Sequence, residues 1–447
     1  MLNKNDAIEL TIDDLTVEGA GVGRHEGMAV FVPRALPGEA VTAHIVKTAK
    51  NYAAAKLSAL HRSSPERVAP VCPAFERCGG CTLQHLSYAG QLEYKRRYVR
   101  ECFRRIGGID IELPEIVPSD AVQAYRNKAA FPVQHTDGGV NAGFFAPRSH
   151  HVVPADCAIQ RPALNAVKDA VVQWARENGI SAYDEETGRG TLRHIVARQA
   201  SDGPVMAGVV VCEGVDEASL VEALKRVPGI RSVVLNLNRD KGNAILGAKS
   251  RVLWGDEALT ERYEDLFFRA GLTSFLQVNH PQSERLYGIA LEYAAISKKD
   301  TVFDLFCGIG TLSLLAAKRA KAVVGIEYVE DAVENARENA KLNGIDNAQF
   351  LAGDAGAMLA EAVHTAAKPD VVLLDPPRKG CEKRLLEELA AMEPKRIIYV
   401  SCDAATLARD AAVLCTGGYE VKAVKAVDMF PQTTHVECVV LMSRVKD

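Results

Sequence analysis

The chain has 447 residues, 48% hydrophobic and 25% charged, with a net charge of −4; at about 100–200 residues per domain this suggests two to four domains. The balance excludes a disordered or fibrous chain, and the mild negative charge argues against wholesale coating of nucleic acid, although local clusters act independently of the total. No apolar run approaches the ~18 residues of a membrane helix, Val205–Cys212 being one of the longest, and Met1-Leu2-Asn3-Lys4-Asn5-Asp6 lacks the apolar core of a signal peptide; a soluble cytosolic protein is expected.

Residues 1–62 read as short strands. Glu9-Leu10-Thr11-Ile12 and Ala29-Val30-Phe31-Val32 are β-rich, and Gly19, Gly21, Gly23 and Pro37-Gly38 punctuate them. A five-strand barrel fits this spacing, and such barrels often bind oligonucleotides. Residues 63–262 form a central region. It opens with a Pro/Cys/Gly-rich loop over 64–82, where Cys72, Cys78 and Cys81 crowd together. Cytosolic cysteines are rarely disulfides, so the crowding asks for a chemical explanation. A helix is predicted over 85–106. Lys95, Arg96, Arg97, Arg100, Arg104 and Arg105 on it read equally as a solvated face or as an RNA-facing one. The rest mixes strands and helices, with a helix over 163–178 and a strand over 230–237.

Residues 263–447 alternate regularly. Helices are predicted over 282–295, 310–318, 331–342, 382–391 and 406–414. Strands are predicted over 301–306, 322–327, 347–352, 371–375 and 396–400, with terminal strands near 420–428 and 436–443. This pattern predicts an α/β, doubly wound parallel sheet, whose ligand sits beyond the carboxyl ends of the strands.

Asp304-Leu305-Phe306-Cys307-Gly308-Ile309-Gly310-Thr311 ends a strand and opens a helix. Gly308 and Gly310 let backbone approach a ligand closely, but Ser313 stands where a dinucleotide fingerprint has its third glycine, so a ligand without pyrophosphate suits the motif better. Glu327 ends the next strand, placed for two ribose hydroxyls, and Asp354 follows the third, within reach of an adenine amine. Either acid could instead cap the following helix.

Asp375-Pro376-Pro377-Arg378 closes the fourth strand. An aromatic after the prolines would suit amine methylation, and Arg378 counts against it. One strand later comes Val400-Ser401-Cys402-Asp403, a cysteine ahead of a helix, well placed for a lowered pKa and nucleophilic use, though a free cysteine is more often an inert core residue. Glu437 starts a late strand and is either a general base with a burial-raised pKa or an edge-strand carboxylate facing water.

A methyl donor, a thiolate and a carboxylate together suit one reaction. Carbon 5 of a pyrimidine is a poor nucleophile until a thiolate adds to carbon 6. Once carbon 5 has taken a methyl group, a base must remove its proton so that elimination frees the thiol. The target atom is hidden in stacked nucleic acid, so the base must be flipped out.

Phe275-Leu276-Gln277-Val278-Asn279, Asp304–Thr311, Gly325-Ile326-Glu327, Asp375–Gly380, Ser401-Cys402 and Phe430–Glu437 together resemble the RNA uracil-5-methyltransferases that use S-adenosylmethionine. The resemblance implies a Rossmann-like methyltransferase domain over 263–447, in which Gln277, Phe306, Glu327 and Asp375 contact S-adenosylmethionine, Cys402 is the nucleophile and Glu437 takes the carbon-5 proton. Gly308 and Asp354 complete the expected cofactor site. Gly19-Ala20-Gly21-Val22-Gly23-Arg24 and Ala35-Leu36-Pro37-Gly38-Glu39 look like a TRAM domain, an OB-like RNA-binding barrel. Cys72, Cys78 and Cys81, with Cys157, resemble the iron–sulfur ligands of the 23S ribosomal RNA members of this family, which favours a [4Fe–4S] cluster in an α+β central domain and 23S ribosomal RNA as partner, without membrane or obligate protein partners. Spacing alone leaves zinc open, with His150 or His151 in place of Cys157. Where the family has Asn-Pro after Ser-Cys, this chain has Asp403-Ala404, and Asp403 is expected to disfavour the thiolate. The competing functions are 5-methylation of a tRNA uridine or a cytosine, and a non-catalytic iron–sulfur RNA-binding protein or redox sensor.

Overall fold

The computed structural model describes residues 2–136 and 138–445. Five strands, Ala7–Leu15, Gly21–His25, Met28–Val32, Ala40–Thr48 and Tyr52–Arg62, close into a barrel. Period-two alternation builds it: Ile8, Leu10 and Ile12 point inward while Glu9, Thr11 and Asp13 face water. Gly23 is required by close approach, since a Cβ there would lie 2.5 Å from the Thr11 carbonyl oxygen. The barrel is tied to the cysteine loop by two arginines. Arg67 makes two bonds, of 2.6 and 2.8 Å, to the buried Glu39 carboxylate. Arg34 donates to the Phe75 carbonyl at 2.7 Å and stacks on the Phe75 ring at 3.8 Å.

The basic helix spans Tyr88–Cys102, continued by a wider π-helical turn, Phe103–Gly107. It starts three residues later than its periodicity suggests because Ser87 caps it, accepting from the Gly90 N–H at 3.0 Å. Gly108, at φ 64°, ends it. Its charges divide. Lys95 is fully buried, Arg97 pairs with Asp14, Arg96 with Glu93, and Arg104 and Arg105 with Glu101, while Arg100 is exposed. The run is thus not one uniform RNA-facing surface.

The central region is a seven-stranded sheet ordered Lys249–Gly255, Ile230–Leu237, Val205–Val211, Leu192–Gln199, Lys128–Thr136, Gly139–Phe145 and Val152–Pro154. Helices Pro162–Glu177 and Glu217–Leu224 pack into its apolar core around Trp174. A hairpin, Leu259–Tyr263 with Leu266–Ala270, leads into the third region, so position 262/263 falls inside a paired unit.

The last region is a seven-stranded sheet ordered Ala348–Ala352, Ala322–Glu327, Thr301–Leu305, Val371–Leu374, Arg396–Ser401, Glu437–Arg444 and Tyr419–Val427. The first five strands run parallel; Glu437–Arg444 inserts antiparallel between its two neighbours. Helices cover both faces, each over its own apolar core. One of them, Ala355–Ala366, has no counterpart in the sequence reading, where its small, weakly patterned residues were passed over. No helix among the described residues is long and apolar enough to cross a membrane.

Candidate active site

Three left-handed residues bend the chain after strand Thr301–Leu305: Phe306 at φ 69°, Gly308 at 55° and Gly310 at 82°. A bulky residue at positive φ is strained and marks a site where geometry is imposed. A Cβ on Gly308 would meet nothing within 4 Å, so that face of the turn is open; one on Gly310 would press on Ala336 and Phe350 at 3.1 Å. Glu327 is fixed beside the turn, accepting from Gly308 N–H at 3.0 Å and Val329 N–H at 2.9 Å. Next to it, Tyr328 and Val329 are exposed. Asp304 lies beneath, buried, accepting from the Ser313 hydroxyl, with its carboxyl pushed up to about 7 mainly by burial. Ser313, which breaks the dinucleotide fingerprint, therefore satisfies a buried acid. Asp354 is exposed and caps the next helix through Oδ1, at 3.0 and 3.1 Å to the N–H groups of Gly356 and Ala357. The capping alternative thus describes at least one of its oxygens.

Cys402 and Glu437 come together. Ser401 pairs with Cys438 in the antiparallel register, which sets Cys402 opposite Glu437. Glu437 lies on an interior strand and is buried; burial, then the neighbouring Asp375, push its carboxyl up to about 8, opposed by Arg378. Asp375 is itself raised to about 7 by burial. Cys402 is half-buried, and its thiol is raised to about 11 by burial and by Glu437, again opposed by Arg378. The expected lowering is therefore not found. The helix Ala404–Thr416 spends its first free N–H groups on Asp403, whose Oδ1 accepts from Ala405 and Thr406 at 3.0 and 2.9 Å, and two carboxylates flank the thiol. Glu437, rather than Asp403, is the acid that raises it most.

Arg378 is the residue that the sequence reading undervalued. It is the cation that draws down both the Cys402 thiol and the Glu437 carboxyl. Its loop is held by the helix after Cys402: Thr406 Oγ1 donates to the Arg378 carbonyl at 3.2 Å, Arg409 to the Lys379 carbonyl at 2.9 Å, and Cys381 N–H to Asp410 at 2.7 Å. The available signal was a charge immediately beyond a strand-ending Asp-Pro-Pro.

Gln277 is buried on the segment before helix His280–Ala294, and Phe275 beside it is exposed. The central sheet holds this segment. Asn127 N–H donates to the Val278 carbonyl at 2.8 Å, and Lys128 Nζ to the carbonyls of Leu272 and Ser274 at 3.3 and 3.2 Å.

Cys72, Cys78, Cys81 and Cys157 line one cavity of about 350 Å³, together with Arg126, Lys128 and Thr433. Neither His150 nor His151 lines it; His150 is exposed and bonded to Glu185 at 2.9 Å. Among the described residues no three His, Cys, Asp or Glu side chains are arranged to hold a single metal ion.

The glycine turn and the acid on the neighbouring strand, at the carboxyl ends of a parallel sheet, belong to a Rossmann-like methyltransferase fold. The profile of the tRNA (uracil-5-)-methyltransferase family matches residues 87–445 and that of the TRAM domain residues 3–58. The chain is similar to an RNA methyltransferase of Halalkalibacterium halodurans, 44% identical over 99% of this chain and 98% of the relative, and to one of Listeria innocua, 42% identical over 99% of both. It is also similar to the solved structure of Pyrococcus abyssi tRNA (uracil-54, C5)-methyltransferase in complex with S-adenosyl-L-homocysteine. That likeness has a TM-score of 0.79 and 30% identity, covering 97% of this chain and 100% of that one. The chain belongs to the tRNA (uracil-5-)-methyltransferase family and is an RNA methyltransferase of the uracil-5 class.

Proposed function

We propose that this enzyme methylates carbon 5 of a uridine in 23S ribosomal RNA through a covalent Cys402–carbon 6 adduct. The observation that carries the proposal is Cys402, one residue past the end of its strand, beside the buried Glu437 that begins the neighbouring antiparallel strand. The uracil, everted from the RNA, is attacked at carbon 6 by the Cys402 sulfur, and the electron pair of the ring double bond moves to carbon 5 and the carbon-4 carbonyl. S-adenosylmethionine, when bound, supplies an electrophilic methyl group on a sulfonium and a positive charge beside the buried carboxyls. With carbon 5 methylated, Glu437 in its carboxylate form, the minority form at neutral pH given its value of about 8, takes the carbon-5 proton, the double bond re-forms and the sulfur departs from carbon 6. Arg378 offsets the negative charge that builds on the sulfur and the ring.

The cofactor fits the residues present. Glu327 is held by two backbone N–H groups beside the open face of Gly308, where an acid suits ribose hydroxyls. Asp375, Phe306 and Gln277 complete the expected cradle, and Asp354 keeps an oxygen that its helix cap does not use. Cys72, Cys78, Cys81 and Cys157 fit a [4Fe–4S] cluster. All four thiols line one cavity of about 350 Å³, with Arg126 beside it to balance an anionic group, and neither His150 nor His151 reaches it as an alternative ligand.

The cysteine quartet's resemblance to ribosomal RNA members supports 23S RNA. The Pyrococcus abyssi likeness favours a second reading, a tRNA uridine, because it covers 97% of this chain, barrel included. The test is to incubate the enzyme and S-adenosylmethionine with 23S fragments and tRNA transcripts and to map 5-methyluridine. Methylation of a ribosomal fragment alone supports the first reading, of tRNA alone the second. With 5-fluorouridine in the preferred RNA a lasting adduct should form, because fluorine does not leave as a proton does. No adduct, or one that survives Cys402→Ala, rejects the mechanism.

A further inference from the structure

The segment Asp428–Val436 joins strand Tyr419–Val427 to the strand that Glu437 begins. It has no regular structure of its own, and Gln432 within it adopts φ 72°. A non-glycine residue there persists only where its surroundings fix it.

Asn279 and Gln282 donate to the Met429 and Asp428 carbonyls at 3.1 and 3.0 Å, and Tyr125 to the Pro431 carbonyl at 3.0 Å; two residues one helical turn apart fix the segment from another side, through their side chains. Lys95, fully buried, donates to Asp428 Oδ1 at 2.6 Å and to the Phe430 carbonyl at 3.1 Å. Gln91, also buried, forms a closed amide pair with Gln432: its Oε1 accepts from Gln432 N–H at 2.9 Å, and its Nε2 donates to Gln432 Oε1 at 3.0 Å. Both lie on helix Tyr88–Cys102, where a spacing of four places them on one face. The same Gln91 amide reaches the Leu83 carbonyl at 3.1 Å, and the N–H groups of Thr82 and Leu83 donate to the Gln432 carbonyl at 3.1 and 3.0 Å.

Stability alone is a poor reason for the ion pair. Both side chains are fully buried, so desolvation offsets much of the attraction, and well-packed apolar replacements of such pairs are often neutral. What the pair does accomplish is to fix where the loop starts, one residue beyond Val427, which itself pairs with Glu437 in the register.

We propose that Gln91 and Lys95 are positioning residues that clamp the Asp428–Gln432 segment and thereby aim Glu437 at the carbon-5 proton. This rests on the reading of Glu437 as the base. Loosening the clamp should therefore spare addition of Cys402 to the ring and slow elimination.

The test compares Gln91→Leu and the double variant Lys95→Met/Asp428→Leu with wild type and Glu437→Gln in the full-length protein, using the preferred RNA and S-adenosylmethionine. Misplacing a reacting group by about 1 Å costs on the order of 10²-fold, so turnover should fall by about tenfold or more while a covalent complex with ordinary uridine RNA accumulates. Adduct formation with 5-fluorouridine RNA should stay within about twofold of wild type, because only its resolution needs the base. Gln91→Leu keeps the test available if the double variant does not fold. Unchanged turnover overturns the proposal, as does an equal fall in turnover and in 5-fluorouridine adduct formation. If Glu437→Gln traps RNA and the clamp variants do not, the clamp is wrong. If none of them traps it, the assignment of the base is wrong and the clamp falls with it.

Discussion

Glu437→Gln has a consequence for folding that needs no substrate. The carboxyl is held at about 8 against 4.5 for an ordinary glutamate, a difference worth roughly 5 kcal/mol. The native protein keeps this proton up to about pH 8, whereas the unfolded chain loses it near 4.5. Stability from this group is therefore full below about 4.5 and is lost as pH rises through about 8. Glutamine cannot ionise and escapes that loss. The variant should match wild type to within about 1 kcal/mol at pH 5 and exceed it by several kcal/mol, up to about 5, at pH 9. Urea unfolding of both proteins at the two pH values reads the difference, with the methyltransferase domain's transition followed. A variant advantage independent of pH, or larger at pH 5, refutes the assignment of a buried carboxyl beside Asp375.

Other expected outcomes follow from the same site. The rate of 5-fluorouridine adduct formation should climb with pH from neutrality into the alkaline range, since the Cys402 thiol sits at about 11 before ligands bind; a flat profile contradicts this. Arg378→Met removes the cation opposing that shift, so adduct formation should slow by a similar factor at pH ~7 and pH ~9, both below the thiol's value of about 11; an unchanged rate at both would mean that the arginine does not act on the thiol. Gly325→Ala puts a Cβ 2.6 Å from Phe350 and 2.9 Å from Cys307 Sγ, which should lower stability by about 1–3 kcal/mol, read as a fall in thermal midpoint. If the cysteine quartet holds the proposed cluster, wild type purified anaerobically should contain iron and acid-labile sulfide and Cys81→Ser should not; equal iron in both, or none in either, would reject Cys81 as a ligand.

Much of the architecture was legible because its periods are strong. Strands such as Thr301–Leu305, buried at every position, can only be interior, and the first barrel strand alternates over Ala7–Asp13. The Gly turn and the Asp-Pro-Pro strand end were readable for the same reason, being local. What was not legible is tertiary. Sequence could not show that Lys95 turns away from its basic neighbours to meet Asp428, nor that Arg378 faces both Cys402 and Glu437. Nor could it show that Asp403 is occupied by capping. The thiol's raised pKa follows from burial and from Glu437 and Asp375 on two other strands, a property of the sheet order that no local window contains.

The central claim is that Cys402 adds to a uracil whose carbon-5 proton Glu437 then removes. Its most direct test is intact-mass and peptide mass analysis of Glu437→Gln protein incubated with ordinary uridine RNA and S-adenosylmethionine. The account predicts a stable complex in which a methylated nucleotide is linked to the peptide containing Cys402, absent when Cys402 is also replaced by alanine. No complex, a link at another residue, or persistence of the link without the cysteine would contradict it.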